Sequence, residues 1–212
     1  MVKLPKGFWL IAPFATWMVL MAALPATATA YAIRTGVVAV ILLAALRSEC
    51  RKLLLGSLRG IPRLPRSDFR SSLPSLAIGM STGVLVFVMW IVPEQFDWAW
   101  YRRWCIIGEG GTQAVAEASA VMIAVRLIGS AFVISIAEEL FFRKWLIGFA
   151  GFWSMVALFA VEHDRWLVAA LCGIIYGGLY LRRGLGAACV AHATTNLVLG
   201  LWVLKTGQWQ FW

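Results

Sequence analysis

The amino-acid sequence predicts an all-α fold: one polytopic membrane helix bundle over residues 1–212, with about seven transmembrane helices (seven to eight). Three observations predict it. Hydrophobic residues make up 61% of the chain and charged residues only 14%, whereas a soluble domain carries about 25% charged residues. Apolar runs close to the roughly 20 residues that span a bilayer recur from one end of the chain to the other. Twelve Trp in 212 residues fit a protein with aromatic belts at two membrane interfaces. A chain this apolar has too little polar surface to coat a water-soluble particle. Its length allows one compact bundle and no sizeable soluble domain.

The segments follow in order. The first covers 8–24 and is ended by Pro25. Lys3, Lys6, the apolar run and the Ala-Thr-Ala-Thr-Ala stretch at 26–30 mimic a signal peptide. The run is long enough to span, so an uncleaved first helix is expected. The second segment covers 31–46, with Arg34 near enough to an end to snorkel. The third covers 73–92, with Pro74 in its first turn and Pro93 at its exit. These three spans and their loops make up 1–113. The fourth segment, 114–146, is too long for one simple span, and a turn is expected before Met122. The fifth, 152–163, is too short to span. The sixth and seventh cover 166–181 and 185–204. No internal repeat is evident.

Charge sets the expected topology. The linker 47–72 carries Arg47, Arg51, Lys52, Arg59, Arg63, Arg66 and Arg70 against two acids. That excess places it in the cytoplasm, with the N-terminus on the same side. Its Leu53-Leu54-Leu55 stretch suits a short amphipathic helix on the membrane. The Trp-rich linker 94–113 falls outside, although Arg102 and Arg103 pull the other way. Arg143–Lys144 and Arg182–Arg183 fall on the cytoplasmic side if the segments alternate. The net charge of +9 reflects these loops and an attraction to anionic lipid. No nucleic-acid partner is expected. Cys50, Cys105, Cys172 and Cys189 form no CxxC pair and no zinc-ligand spacing.

The ionisable residues inside the apolar segments carry the chemistry. A charge at the bilayer centre costs about 2.5–3.5 kcal/mol on insertion scales. Glu138, Glu139 and Arg143 fall within two helical turns, so unpaired they would cost roughly 8–10 kcal/mol by addition. Glu139 and Arg143 are spaced i, i+4 and can pair on one face. Glu138 is rotated by about 100° from Glu139 and lacks that partner. A carboxyl in an apolar wall without a cation is suited to act as a general base. A helix end at which Glu and Arg snorkel is the plain structural alternative. The chain has two histidines. His163 ends the fifth segment, and His192 lies in the seventh, four residues before Asn196 on the same helix face. His192 and Asn196 can both donate to one oxygen. A helix-capping His163 and an interhelical His192/Asn196 pair are the structural alternatives.

Together these motifs resemble the CAAX protease and bacteriocin-processing family of glutamic-type intramembrane proteases, which includes the Ras-converting CAAX endopeptidases. That family is marked by EExxxR, FxxxH and HxxxN on successive helices. Here they read Glu138-Glu139-xxx-Arg143, Phe159-xxx-His163 and His192-xxx-Asn196, in that order. The resemblance covers about 115–205, so 114–205 is expected to hold the catalytic helices. It implies an endopeptidase acting on a membrane-embedded protein or peptide substrate within the lipid bilayer. By resemblance, Glu138 activates the attacking water, His163 assists, and His192 and Asn196 stabilise the oxyanion. Glu139 and Arg143 support the first of these helices. A base, a second polarising group and two donors around one atom make a hydrolytic site on chemical grounds too. No cofactor and no metal is called for. The tail from Asn196 to the end is similar to members associated with exosortase-type sorting systems in bacteria. That likeness implies C-terminal sorting-signal processing, a sorting-system partner and a bacterial cytoplasmic (inner) membrane.

Other readings stay open at this level. Glu138, His163 and His192 could ligate zinc, although no HExxH is present. Ser135 or Cys189 could serve as a covalent nucleophile. Intramembrane acids and histidines also build proton relays in small transporters. A non-catalytic membrane scaffold is the remaining alternative. Glu162, Asp164 and Arg165 are expected to line the cavity beside His163 or its mouth. Arg126 belongs to none of the three motifs.

Overall fold

The computed structural model describes residues 7–58, 73–107 and 119–211, with the side chains of 49–58 outside that description. The described chain is an all-α membrane bundle. Helix α1 is Phe8–Ala23, α2 is Ala28–Leu58, α3 is Leu73–Gln95 and α4 is Ala99–Cys105. A continuous helix, α5, runs over Ala120–Ala150. Then come α6 (Phe152–Val161), α7 (Trp166–Arg183) and α8 (Leu185–Thr206), with a 3-10 turn at Trp209–Phe211. Among the described residues, four stretches are long and apolar enough to cross a membrane: Ala28–Ser48, Leu73–Gln95, Ala120–Ala150 and Leu185–Thr206. Helices α1 and α6 are apolar but shorter. Each of the seven expected segments coincides with a helix.

Local sequence explains the ends. Thr27 accepts from the Ala30 amide through its hydroxyl at 3.2 Å and starts α2. Ser119 caps α5 by accepting from the Met122 amide at 3.4 Å, so the turn expected before Met122 is a cap. Gly151 takes φ 88°, a conformation open mainly to glycine, and joins α5 to α6 in a tight turn. Two boundaries differ from expectation. Helix α2 runs on to Leu58 and takes in the first part of the basic linker. Leu53-Leu54-Leu55 is therefore helical in backbone, while its side chains, the Cys50 side chain and residues 59–72 lie outside the described residues. Helix α3 continues through Pro93 to Gln95, because a proline near a helix end removes only one bond from the ladder.

Helix α5 contains two π-helical segments, Gly129–Ile134 and Glu139–Leu146. Such insertions widen the turn and are frequent at functional sites. The second segment begins at the paired glutamates.

Helix α8 packs against α3, α5 and α7. The α3–α8 contact is close because Gly79 and Gly83 face it. A Cβ at Gly79 would lie 2.9 Å from the Ala187 carbonyl oxygen, and one at Gly83 would lie 2.7 Å from Thr194 Cβ. This is the small-xxx-small packing of membrane helices, which lets backbones touch. It sets the position of His192 and Asn196 relative to the rest of the bundle.

Candidate active site

The two adjacent glutamates of α5 have separate surroundings. Glu139 turns toward Arg143, with Oε2 3.2 Å from Nε and both side chains at 0% exposure. The pair satisfies the i, i+4 expectation. The Arg143 guanidinium also sits 4.2 Å from the Phe159 ring centre and 5.4 Å from that of Tyr176. These aromatic faces stabilise a cation that is removed from water. Glu138 is buried too, at 6%. Its Oε2 has no hydrogen-bond partner among the described residues and lies 3.8 Å from His192 Nε2.

His192 comes from α8. Its Nδ1 lies 2.8 Å from Glu139 Oε1, and its ring stacks on Tyr176 at 5.0 Å between centres. One turn later, Asn196 Nδ2 donates to the Ser130 carbonyl at 3.0 Å. That leaves its second N–H and its carbonyl oxygen for other partners. Between them, Thr195 bonds the Gly83 carbonyl of α3 at 2.8 Å and accepts from the Tyr176 hydroxyl at 2.6 Å. The shared hydroxyl ties α3, α7 and α8 together beside the histidine.

His163 lies in the loop after α6, where its Nδ1 donates to the Phe159 carbonyl at 2.8 Å. Glu162 Oε2 is 3.1 Å from the same nitrogen. The bond to Phe159 leaves Nε2 as the free ring nitrogen. The His163 ring lies 4.6 Å from Phe159 and 5.8 Å from Trp90. The loop is anchored by Arg165, whose Nε is 2.5 Å from Glu94 of α3, and by the Ile107 amide, which donates to Asp164 at 2.7 Å.

Glu138, His163, His192 and Asn196 all line one cavity of about 200 Å³. Trp90, Phe159, Cys172, Tyr176, Leu199 and Phe211 are among the apolar and aromatic side chains that complete its wall. The arrangement joins a carboxyl, two imidazoles and an amide around one small space, which suits hydrolysis by an activated water.

Several sequence expectations read differently in the fold. Glu162, Asp164 and Arg165 are not among the cavity residues. Arg165 pairs with Glu94 and lies 4.7 Å from the Phe211 ring, so it acts behind the wall. Ser135 is wholly buried and bonds the Ala131 carbonyl through its hydroxyl. Cys189 packs with Leu42, Leu140 and Leu185. Neither lines the cavity, whereas Ser130, Cys172 and Thr195 do. Arg126 lines a second cavity of about 170 Å³ with Trp17, Tyr31, Ser130, Ile134 and Asn196, its guanidinium 4.8 Å from the Tyr31 ring. Sequence reasoning missed Tyr176, Thr195, Trp90 and Phe211 as neighbours of the site. The Gly79-xxx-Gly83 spacing is a sequence signal from which the close contact of α3 with α8 could have been found.

Comparisons with known proteins agree with the motifs. Residues 120–198 match the family model described as type II CAAX prenyl endopeptidase Rce1-like. This stretch contains Glu138, His163, His192 and Asn196, and also Glu139 and Arg143. No curated protein and no solved structure matches the chain. The family match supports an intramembrane endopeptidase activity in general terms.

Proposed function

We propose that this chain, carrying a CAAX-endopeptidase-like domain, hydrolyses a peptide bond of a membrane-embedded protein or peptide with a water activated by Glu138 and His163. The single observation that carries the reading is the convergence of Glu138, His163, His192 and Asn196, from three separate parts of the chain, on one cavity. Among the described residues no Lys or Arg pairs with Glu138, whereas Glu139 has Arg143. Glu138 is therefore the carboxyl left for proton transfer. A water held between Glu138 and His163 Nε2 attacks the scissile carbonyl. His192 and the second amide N–H of Asn196 stabilise the oxyanion that forms, as donors around a developing charge do. No acyl-enzyme is formed. The sequence likenesses extend the proposal to a bacterial cytoplasmic membrane, to C-terminal sorting signals as substrates and to a sorting-system partner.

The deciding experiment compares membrane proteins by mass spectrometry in cells with the wild-type chain and with Glu138→Gln. One cleavage product present only with the wild type is the expected result. A wild-type level of that product in Glu138→Gln refutes the base assignment. Intact substrates in both strains would favour a transporter or scaffold.

A second reading has one observation in its favour. Glu138, Glu162 and His163 each offer a ligand atom within 4.8 Å of the others, a set able to hold a divalent ion. It differs from the set expected from sequence, since Glu162 takes the place of His192. Purified enzyme that keeps its activity through prolonged chelation, and gains none from added zinc, rules this reading out.

A further inference from the structure

We infer that Glu139 makes His192 the proton carrier of the reaction, acting as a positioning residue through the imidazole ring. The inference rests on the hydrolytic reading of the site and concerns how one of its residues works. Its basis is a hydrogen bond. Glu139 Oε1 lies 2.8 Å from His192 Nδ1, and Glu139 Oε2 lies 3.2 Å from the Arg143 guanidinium. With that cation beside it, Glu139 is a carboxylate, and a carboxylate only accepts hydrogen bonds. The proton of the bond therefore sits on Nδ1. A neutral imidazole with its proton on Nδ1 presents a lone pair at Nε2. Nε2 is the nitrogen that faces Glu138, at 3.8 Å from Oε2.

This geometry changes what His192 does. In that tautomer His192 cannot donate to an oxyanion from Nε2, because that nitrogen carries no hydrogen. It becomes a donor only after it accepts a proton. In the first step, the water oxygen bonds to the carbonyl carbon, and the C=O pair moves onto the oxygen. One water proton passes to Glu138. Glu138 then hands it to His192 Nε2. The 3.8 Å gap exceeds a hydrogen bond, so a small turn of the carboxyl or a bridging water completes the path. The imidazolium formed lies between Glu139 and the oxyanion and stabilises both negative charges. In the second step, the C=O bond re-forms and the C–N bond breaks. The leaving nitrogen takes its pair and the proton from Nε2. Glu138 and His192 return to their starting states, and the water has been divided between acid and amine.

The groups facing His192 fit this role. Glu138 and Glu139 approach from α5, the stacked ring of Tyr176 from α7 and the Phe159 ring from α6, at 6.2 Å. Arg143 balances Glu139, and His163 is the other imidazole on the cavity. An arrangement in which a buried carboxylate fixes the tautomer of a catalytic histidine depends strongly on that carboxylate.

The test uses the full chain in lipid nanodiscs. With only two histidines in the sequence, ¹⁵N-histidine NMR of wild type and of His163→Ala isolates the His192 signals. The expected spectrum at neutral pH has a protonated Nδ1 and a bare Nε2. A wild-type spectrum with the proton on Nε2 overturns the inference whether or not any substrate is known. The kinetic arm uses Glu139→Gln and Glu139→Asp on a library of quenched single-span peptides. Glu139→Gln should lose about 100-fold or more in kcat with KM within about twofold, the pattern of a lost orienting carboxylate. Its pH profile should be displaced, and Glu139→Asp, which keeps an acceptor for Nδ1, should restore part of the rate. A merely structural Glu139 predicts instead fewer active molecules, an unchanged pH profile and no advantage of Asp over Gln, and that result overturns the inference. A wild-type chain that cleaves no peptide sinks the hydrolytic reading and the proton transfer with it, while the spectrum still reports the tautomer.

Discussion

Glu139 and Arg143 form an ion pair at 3.2 Å in which neither side chain has any exposure. Removing one partner strands a charge in a water-poor interior, which costs about 3–5 kcal/mol in typical buried pairs. Arg143→Ala is therefore expected to lower the melting temperature in detergent and the yield of folded protein. Replacing both residues, as Glu139→Leu with Arg143→Met, should recover much of the stability without recovering turnover. Thermal unfolding and cleavage assays on the wild type and these two variants separate the two effects.

The catalytic groups should respond in a graded way. Glu138→Gln and His192→Ala are expected to abolish turnover while leaving the bundle folded. His163→Ala and Asn196→Ala should lose roughly 100- to 1,000-fold in kcat, the scale of removing one preorganised donor. Single-turnover assays with matched protein quantities check this order. Equal losses at all four positions would contradict the assigned roles.

Helix contact at Gly83 gives a packing prediction. A Cβ there meets Thr194 Cβ at 2.7 Å and also the Ala191 carbonyl, both rigid parts of α8. Gly83→Ala must push α8 away and shift His192 with it. Activity should fall by at least about tenfold, since displacements near 1 Å at a site are that costly. Gly36→Ala on α2, where a Cβ meets nothing within 4 Å, serves as the control and should leave activity and melting temperature unchanged.

Phe211 lines the cavity although it lies far along the chain from the motifs. It is held over the site by Arg165, which is itself paired with Glu94. Phe211→Ala should widen the apolar wall and let larger side chains reach the scissile position. Peptide panels varied at that position should show a preference shift of about tenfold, the scale of a changed apolar pocket. An unchanged panel profile would show that Phe211 takes no part in selection.

Much of the site was readable before any coordinates. The i, i+4 spacing of Glu139 and Arg143 placed them on one face, and they pair there. The fifth segment was expected to end at His163, and the helix stops two residues earlier, at Val161. Other features were hidden because they depend on groups distant in sequence. Thr195 reaches Gly83 across 112 positions, and no periodicity within either helix announces that bond. The π segments of α5 were likewise invisible, since a widened turn leaves the apolar pattern of the residues unchanged.

Membrane residence and helical class follow from composition and run length, because the free energy of placing side chains in lipid is a local property that nearly adds along the chain. The nearness of ionisable groups within one helix also follows, since helical spacing is universal. What the chain could not disclose in linear form is which carboxyl each nitrogen of His192 faces. That depends on Glu139, 53 positions away, and on how closely α8 is allowed to approach α3 and α5. Packing between helices sets such distances to within tenths of an ångström, and only the folded bundle contains them.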